Sequence, residues 1–239
     1  MDVYEGIIIK HIDYKESSQI IYVYTQTGLF SFLLRGANKM NSPFLGSKNT
    51  LSYVKIYASG KSLKNVKEME IIKSYPNIKL HLNKYTYVLH MLELIYHFAD
   101  GELNHDKSYP FLIKILDKVE LEAEYVPYIN MFEAKLLYLL GVNPLFHECV
   151  ICKDTHDLTF SIEEGGMTCV DHTLKKQPYS EECIQLFEFL YYYDLQNPSS
   201  IETETKTIME LRHLLDEYYM YHLNIKTKSR TVLEGFIGY

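Results

Sequence analysis

The chain has 239 residues, of which 47% are hydrophobic, so it can bury one large core or two smaller ones. Its net charge is −7, and its apolar runs, such as residues 7–9, are far shorter than the roughly 18 residues of a membrane span. Asp2 and Glu5 stand where a signal peptide carries positive charge. These features predict a soluble, cytoplasmic protein with no membrane partner, in which closely spaced cysteines bind metal rather than form disulfides.

The charge is distributed unevenly along the chain. Residues 1–80 carry eleven Lys+Arg and six Asp+Glu, a net charge of +5, whereas residues 81–239 carry a net charge of −12. This asymmetry predicts a basic module joined to an acidic one. The acidic total therefore does not argue against nucleic-acid binding by the first module.

The first 80 residues are predicted to form short β-strands. Strand-like segments occupy residues 4–12, 18–25, 29–35, 51–57 and 66–72. Gln26-Thr27-Gly28 suits a hairpin connection between the second and third of them. Five short strands in about 75 residues suit a small barrel, so residues 1–80 are predicted to form an OB-fold domain.

From residue 80 onward the hydrophobic period becomes that of α-helices. Apolar residues recur at helical spacing from Tyr85 to Phe98, and further helices are predicted around residues 112–116, 128–140, 184–190 and 209–221. Gly141 and Pro144 end the third helix. Residues 81–239 are thus predicted to form an α-helical domain, and the fold class is α+β.

Three of the four cysteines lie in the segment 149–172, CVICKDTHDLTFSIEEGGMTCVDH. Cys149 and Cys152 are spaced C-x2-C, and Cys169 and His172 are spaced C-x2-H, with a turn-forming Glu-Glu-Gly-Gly between the pairs. This pattern predicts one tetrahedral zinc site in a knuckle at residues 147–175. His147 and His156 are alternatives to His172 as the fourth ligand, and ordinary buried cysteines are the alternative to a metal site.

The sequence does not indicate catalysis by this metal. A zinc deaminase needs an upstream H-x-E and a Pro before the C-x-x-C, but Glu148 precedes Cys149, and H-E-x-x-H does not occur. Four protein ligands leave no coordination position for a substrate. We therefore expect the metal to hold structure and to act on no small-molecule substrate.

The basic residues of the first module point to nucleic acid. They are Lys10, Arg35, Lys39 and Lys48, on or beside the predicted strands and the loop after the third strand. An OB-type barrel binds single strands with a charged groove and exposed aromatic rings, for which Tyr14, Tyr22 and Tyr24 are candidates. The alternative is that these lysines only promote solubility.

Taken together, these residues resemble the RecO family of bacterial recombination mediators. The matching segments, in chain order, include Gly6-Ile7-Ile8-Ile9-Lys10, Tyr14-Lys15-Glu16-Ser17, Arg35-Gly36-Ala37, Phe132-Glu133-Ala134-Lys135-Leu136-Leu137, the Cys segment and Lys228-Ser229-Arg230. The resemblance implies an OB-fold, a helical domain with a zinc knuckle, and a non-enzymatic protein. It implies binding of single- and double-stranded DNA, strand annealing, and cooperation with RecR so that RecA replaces SSB.

The resemblance also implies binding of the SSB C-terminal tail, which is acidic and ends in apolar residues. The dense basic cluster in the acidic half is Lys226, Lys228 and Arg230, beside Val232, Leu233 and Phe236. We predict that this segment supplies part of the tail-binding pocket; the alternative is that Arg230 pairs with a carboxylate or caps the last helix. The alternative function for the whole chain is a protein-interaction scaffold of a repair complex with little DNA binding of its own.

Overall fold

The computed structural model describes residues 1–44, 49–101, 103–173 and 178–236, with side chains up to Leu233. The chain divides into two compact units. The first comprises Met1–Leu121 and the residues from Val232 onward, and the second is Glu122–Thr231. Across the described residues, no helix has both the length and the apolar character that a membrane crossing requires. The predicted division into domains 1–80 and 81–239 stays a prediction about independently folding parts.

The first unit begins with a closed five-stranded barrel. Its strands are β1 (Asp2–Tyr14), β2 (Ser18–Thr25), β3 (Gly28–Leu34), β4 (Tyr53–Ser59) and β5 (Leu63–Lys73). They are hydrogen-bonded in the order β1-β2-β3-β5-β4, and β4 pairs with β1 to close the barrel. All these pairs are antiparallel except the parallel β3–β5 pair. The predicted OB-fold is confirmed.

Alternation along the strands fills the barrel with side chains. In β3, Phe32 and Leu34 are fully buried and belong to the barrel core, which explains why every second residue of this strand is apolar. The core also contains Ile8, Ile21, Val23, Ala37, Phe44, Val54, Ile56, Ala58 and Val66. The hairpin predicted at Gln26-Thr27-Gly28 is confirmed, since Thr25 pairs with Gly28.

Three helices complete the first unit. They are α1 (Pro76–Leu80), α2 (Leu82–Phe98) and α3 (His105–Leu121). The hydroxyl of Tyr24 in β2 lies 2.6 Å from Ser108 Oγ and 3.1 Å from His105 Nδ1 in α3. Tyr24 is therefore buried under α3 and is not available for base stacking.

The second unit consists of helices with a small hairpin between them. Its elements are α4 (Val126–Leu139), β6 (Thr159–Ser161), β7 (Gly166–Thr168), α5 (Glu181–Tyr192), α6 (Thr205–Leu223) and the start of α7 (Lys228–Phe236). α4 ends where the sequence predicts, because Gly141 adopts a φ of +74° that L-residues avoid. The inserted hairpin agrees with the predicted knuckle.

A buried ion pair joins α4 to α6 in the second unit. Arg212 and Glu133 each expose 1% of their side chains, and both guanidinium Nη atoms meet the Glu133 carboxylate. Arg212 Nη1 also donates to Asn130 Oδ1 at 3.2 Å, and Tyr219 Oη donates to the Glu133 carbonyl at 2.9 Å. These bonds compensate for removing two charges from water.

Breaking this pair should strongly destabilise the second unit. Glu133→Ala leaves the Arg212 charge buried without its carboxylate, so we expect it to lower the free energy of unfolding by about 3–5 kcal/mol. Chemical denaturation followed by circular dichroism measures this. As a control, Lys73→Ala removes the half-exposed Lys73–Asp117 pair and should cost about 0–1 kcal/mol. Equal destabilisation by the two variants would contradict the prediction.

Candidate metal centre and candidate nucleic-acid interface

The four residues of the predicted metal site lie together in the second unit. Cys149, Cys152, Cys169 and His172 each direct one ligand atom to a common point, and these atoms all lie within 4.8 Å of one another. Cys149 and Cys152 come from the turn that follows α4. Cys169 and His172 come from the turn that follows β7, where the His172 and Thr173 amides donate to the Cys169 carbonyl.

The spacing of the ligand atoms suits a tetrahedral metal ion. Cys152 Sγ lies 3.6 Å from Cys169 Sγ, and His172 Nδ1 lies 3.2 Å from Cys169 Sγ and 3.8 Å from Cys149 Sγ. Ligands held at about 2.0–2.3 Å from an ion at tetrahedral angles are roughly 3.3–3.8 Å apart. The cysteines are free thiols. The cluster could therefore hold a metal.

The other two candidate ligands have different partners. His147 Nδ1 lies 3.3 Å from a Glu188 oxygen, and His156 Nδ1 lies 3.0 Å from an Asp154 oxygen. Neither belongs to the cluster of four, which contains His172. Cys183, the fourth cysteine of the chain, is fully buried in α5.

The backbone of the knuckle favours the thiolate form of Cys149. Burial raises the pKa of this thiol, but backbone hydrogen bonds from Cys152, Cys169 and Ile151 outweigh burial and lower the pKa to about 6. Metals bind the thiolate rather than the thiol. Amide groups of both turns thus favour the form of Cys149 that a metal ion would bind.

The knuckle is anchored to its surroundings by backbone pairing, by α6 and by aromatic packing. Met167 N donates to the Leu145 carbonyl at 2.8 Å, and Val150 N donates to the Met167 carbonyl at 2.9 Å. From α6, Tyr218 Oη donates to the Val142 carbonyl at 3.0 Å, and His222 Nε2 lies 2.6 Å from the Ile162 carbonyl. The rings that pack beneath it are those of Phe146, Phe160, Phe187 and Tyr218.

Gly166 is required by this close packing. A Cβ atom at this position would lie 2.6 Å from the Leu145 carbonyl oxygen and 2.8 Å from the Leu145 nitrogen, closer than real contacts allow. We expect Gly166→Ala to distort the knuckle, lower the melting temperature and reduce the metal content of the purified protein. Differential scanning calorimetry and elemental analysis measure both effects.

A second glycine provides the control for this substitution. A Cβ at Gly101 meets nothing within 4 Å, so Gly101→Ala should leave both quantities close to wild type. Wild-type metal content and melting temperature in Gly166→Ala would show that the close contact does not constrain the knuckle.

The outer face of the barrel brings several predicted DNA-binding residues to one side. In each strand, the residues between the core residues point outward. The pairing of β1, β2 and β3 aligns Lys10, Tyr22 and Ser31 in one row across the strands. The next row consists of Ile12, Ile20, Leu33 and Asn65. We call these two rows, with Tyr14, Arg35 and Lys67 at their margins, the outer face of β1–β2–β3.

The predicted cations occupy different positions relative to this face. Arg35 is exposed, and its Nε donates to Asn65 Oδ1 at 2.9 Å. Lys39 is exposed on a turn in which its amide donates to the Gly36 carbonyl. Lys10 is half-buried, with Nζ 3.8 Å from the centre of the Tyr96 ring. Lys48 lies outside the described residues.

The remaining outer surface of the barrel carries acidic residues. The strand register aligns Lys55 of β4 with Glu5 of β1 on one side and with Glu70 of β5 on the other. Lys55 Nζ lies 3.3 Å from a Glu5 oxygen. Glu68 pairs across from Tyr57 in the adjacent row. Arg35, Lys39 and Lys67 are thus the exposed cations on and beside the outer face of β1–β2–β3, while other lysines of the first module, such as Lys61 and Lys73, lie elsewhere.

The predicted partner-binding residues do not share one environment. Lys226 and Lys228 are exposed, whereas Arg230 is buried and contacts the Asp216 carboxylate through Nη2. Arg230 thus adopts the ion-pair arrangement that the sequence left open as the alternative. Its contact with Asp216, which also lies 3.5 Å from Arg212 Nη2, extends the buried network to α7. The partner-binding role of this segment stays a prediction.

The fold and sites define a class of protein: an OB-fold barrel with exposed cations on its outer surface, followed by a helical unit with a Cys3His cluster that could hold a metal ion. Two family descriptions match the chain, "Recombination protein O N terminal" over residues 1–75 and "Recombination protein O C terminal" over residues 80–231. The chain belongs to the RecO family of DNA repair proteins.

Curated relatives match over nearly the whole length. A protein of Exiguobacterium sp. (strain ATCC BAA-1283 / AT1b), named "DNA repair protein RecO", is 25% identical, with 97% of this chain and 95% of that protein covered. One of the same name from Bacillus cytotoxicus is 28% identical, with 96% and 95% covered. A third from Bacillus cereus (strain AH187) is 27% identical, with the same coverage.

Proposed function

We propose that this chain is a DNA-binding recombination mediator that anneals complementary strands and, with RecR, helps RecA load on SSB-coated single strands. The observation that carries the proposal is the presence of exposed cations beside apolar side chains on one face of an OB-fold barrel in a member of the RecO family. The proposed role is one of binding rather than catalysis.

The composition of the outer face of β1–β2–β3 favours single strands. Arg35, Lys39 and Lys67 are exposed and can neutralise phosphates, which releases condensed counterions. The apolar row of Ile12, Ile20 and Leu33 offers contact to bases that are not paired, as does the half-buried ring of Tyr14. The Tyr22 ring instead packs against the Tyr96 ring of α2, with the ring centres 5.3 Å apart. A duplex presents its phosphates but not its base faces, so it gains only the electrostatic part.

Removal of two cations from this face should weaken DNA binding. We expect the Arg35→Ala/Lys39→Ala double variant to bind unrelated single strands more weakly and to reduce the slope of log K against log salt by roughly 0.7 for each phosphate that is no longer neutralised. A salt titration of fluorescence anisotropy measures this. The control is Lys55→Ala, on the acidic part of the barrel. Wild-type affinity and slope in the double variant would place the DNA-binding face elsewhere.

We also propose that the Cys3His cluster binds one zinc ion with a structural role. Zinc accepts three thiolates and one imidazole in a closed tetrahedral site, and its binding energy is folding energy in such knuckles. In this chain the residues around the cluster position its ligands. The amides of Ile151, Cys152 and Cys169 favour the Cys149 thiolate. Helix α6 contacts the backbone before the knuckle through Tyr218 and the hairpin through His222.

Two cysteine variants separate a metal site from ordinary buried thiols. Cys152→Ser should reduce zinc content well below one ion per chain and destabilise the second unit, because the site then has only three strong ligands. Cys183→Ala, which alters a buried cysteine in α5, should retain one zinc ion per chain. Elemental analysis of protein purified without chelators measures both. Absence of zinc from the wild-type protein would refute the proposal.

A further inference from the structure

An open groove of about 410 Å³ lies at the end of α5 in the second unit. Its lining includes Glu188, Phe189, Tyr192, Tyr193, Asp194 and Ser199. None of these residues belongs to the metal cluster or to the basic face of the barrel. The groove therefore lies outside the two sites on which the proposed function rests.

One wall of the groove is a loop that closes on itself. Tyr193 Oη donates to the Ser199 carbonyl at 2.6 Å. Asp194 Oδ1 accepts from the Gln196 amide at 2.8 Å, and Oδ2 accepts from Asn197 Nδ2 at 2.7 Å. A carboxylate has about four acceptor sites, so Asp194 can accept further hydrogen bonds from a ligand.

Two exposed aromatic rings are held in fixed orientations at this groove. Phe189 and Tyr192 are 41% and 56% exposed, which is unusual for neighbouring aromatic residues on one helix. Phe189 packs against the edge of Tyr193 at 5.4 Å, and one face of Tyr192 stacks on His147 at 5.8 Å. Both rings are thus oriented by packing and still present apolar surface.

The charge of the groove selects against anions. Glu188 and Asp194 are its acidic groups, and the residues that line it in the described part of the chain include no Lys or Arg. Hydrogen bonds from the Gln196 backbone and the Asn197 side chain keep the pKa of Asp194 low, with a smaller contribution from Lys135. Nucleic acid and acidic peptides are therefore unfavourable ligands.

We propose that this groove binds an arginine side chain within a basic segment of a partner protein. A guanidinium group is planar, donates in pairs to a carboxylate and stacks on aromatic rings. The groove offers carboxylates for the hydrogen bonds and rings for the stacking, since Glu188 and Asp194 line it together with Phe189 and Tyr192. A lysine ammonium matches the charge and can lie over a ring, but it lacks the planar, paired donors and the flat stacking surface of a guanidinium. The bound guanidinium competes with His147, whose Nδ1 lies 3.3 Å from Glu188.

A peptide array tests the specificity for arginine. Nine-residue peptides with a central Arg, varied at the neighbouring positions, are probed with the fluorescently labelled full-length protein, beside a matched array with a central Lys. The tightest Arg peptide is then titrated by anisotropy against its Lys counterpart. We expect the Arg peptide to bind about tenfold more tightly, because stacking and paired hydrogen bonds add to the charge attraction.

Groove variants and matched surface variants locate the binding site. Glu188→Gln and Tyr192→Ala should each weaken the Arg peptide about tenfold, as is usual for aromatic and charged contacts at the centre of an interface. Glu182→Gln, at an exposed acid near the start of α5, and Tyr221→Ala, at a ring that is 58% exposed, should change affinity less than about twofold. Circular dichroism and metal content verify the fold of every variant.

The outcomes of these measurements are decisive. Tighter Arg binding that both groove variants abolish supports the proposal. Equal affinity for the Arg and Lys peptides, undiminished binding in both groove variants, or absence of binding across the whole Arg array would each overturn it. Because the readout uses no DNA, failure here leaves the proposed DNA-binding function intact.

Discussion

The buried pair between Glu133 and Arg212 is the constraint on which the second unit depends. Two charges removed from water are tolerated only when both are well hydrogen-bonded, so α4 and α6 must meet in one register. That register also places Tyr218 and His222 of α6 against the knuckle. The metal cluster is therefore held in position by helices whose alignment an ion pair determines.

Contacts of this kind explain the structural role of residues 132–137, one of the segments in which the chain resembles the RecO family. Phe132 is fully buried, Glu133 pairs with Arg212, and Lys135 Nζ donates to the Tyr191 carbonyl of α5 at 2.5 Å. Burial lowers the pKa of Lys135. One turn and a half of α4 thus links to both α5 and α6, so substitutions there affect stability rather than a binding surface.

The features that the sequence predicted are those that depend on nearby residues. Period-two alternation predicted the barrel strands, and the C-x2-C and C-x2-H spacings predicted that four ligands meet across a single hairpin.

The short helices α1 and α7 were not predicted because each presents too few periodic apolar residues. Features that join distant segments were also missed: the Lys10 ammonium packs on Tyr96, and Tyr24 is covered by α3. For Arg230 the sequence offered pairing with a carboxylate as an alternative, but it did not identify Asp216 as the partner. The groove beside α5 depends on a loop closed by Tyr193 and Ser199, which no local pattern reveals.

The compactness of the knuckle along the chain has a consequence for the order of folding. Its four candidate ligands span only residues 149–172, so a metal ion bound there would close a short loop with a small closure entropy. The Arg212–Glu133 pair joins positions 79 residues apart and needs α6 to be present. During synthesis, α4 and the knuckle leave the ribosome before α6 does. We expect metal capture to come first and to provide a preformed surface on which the later helices assemble.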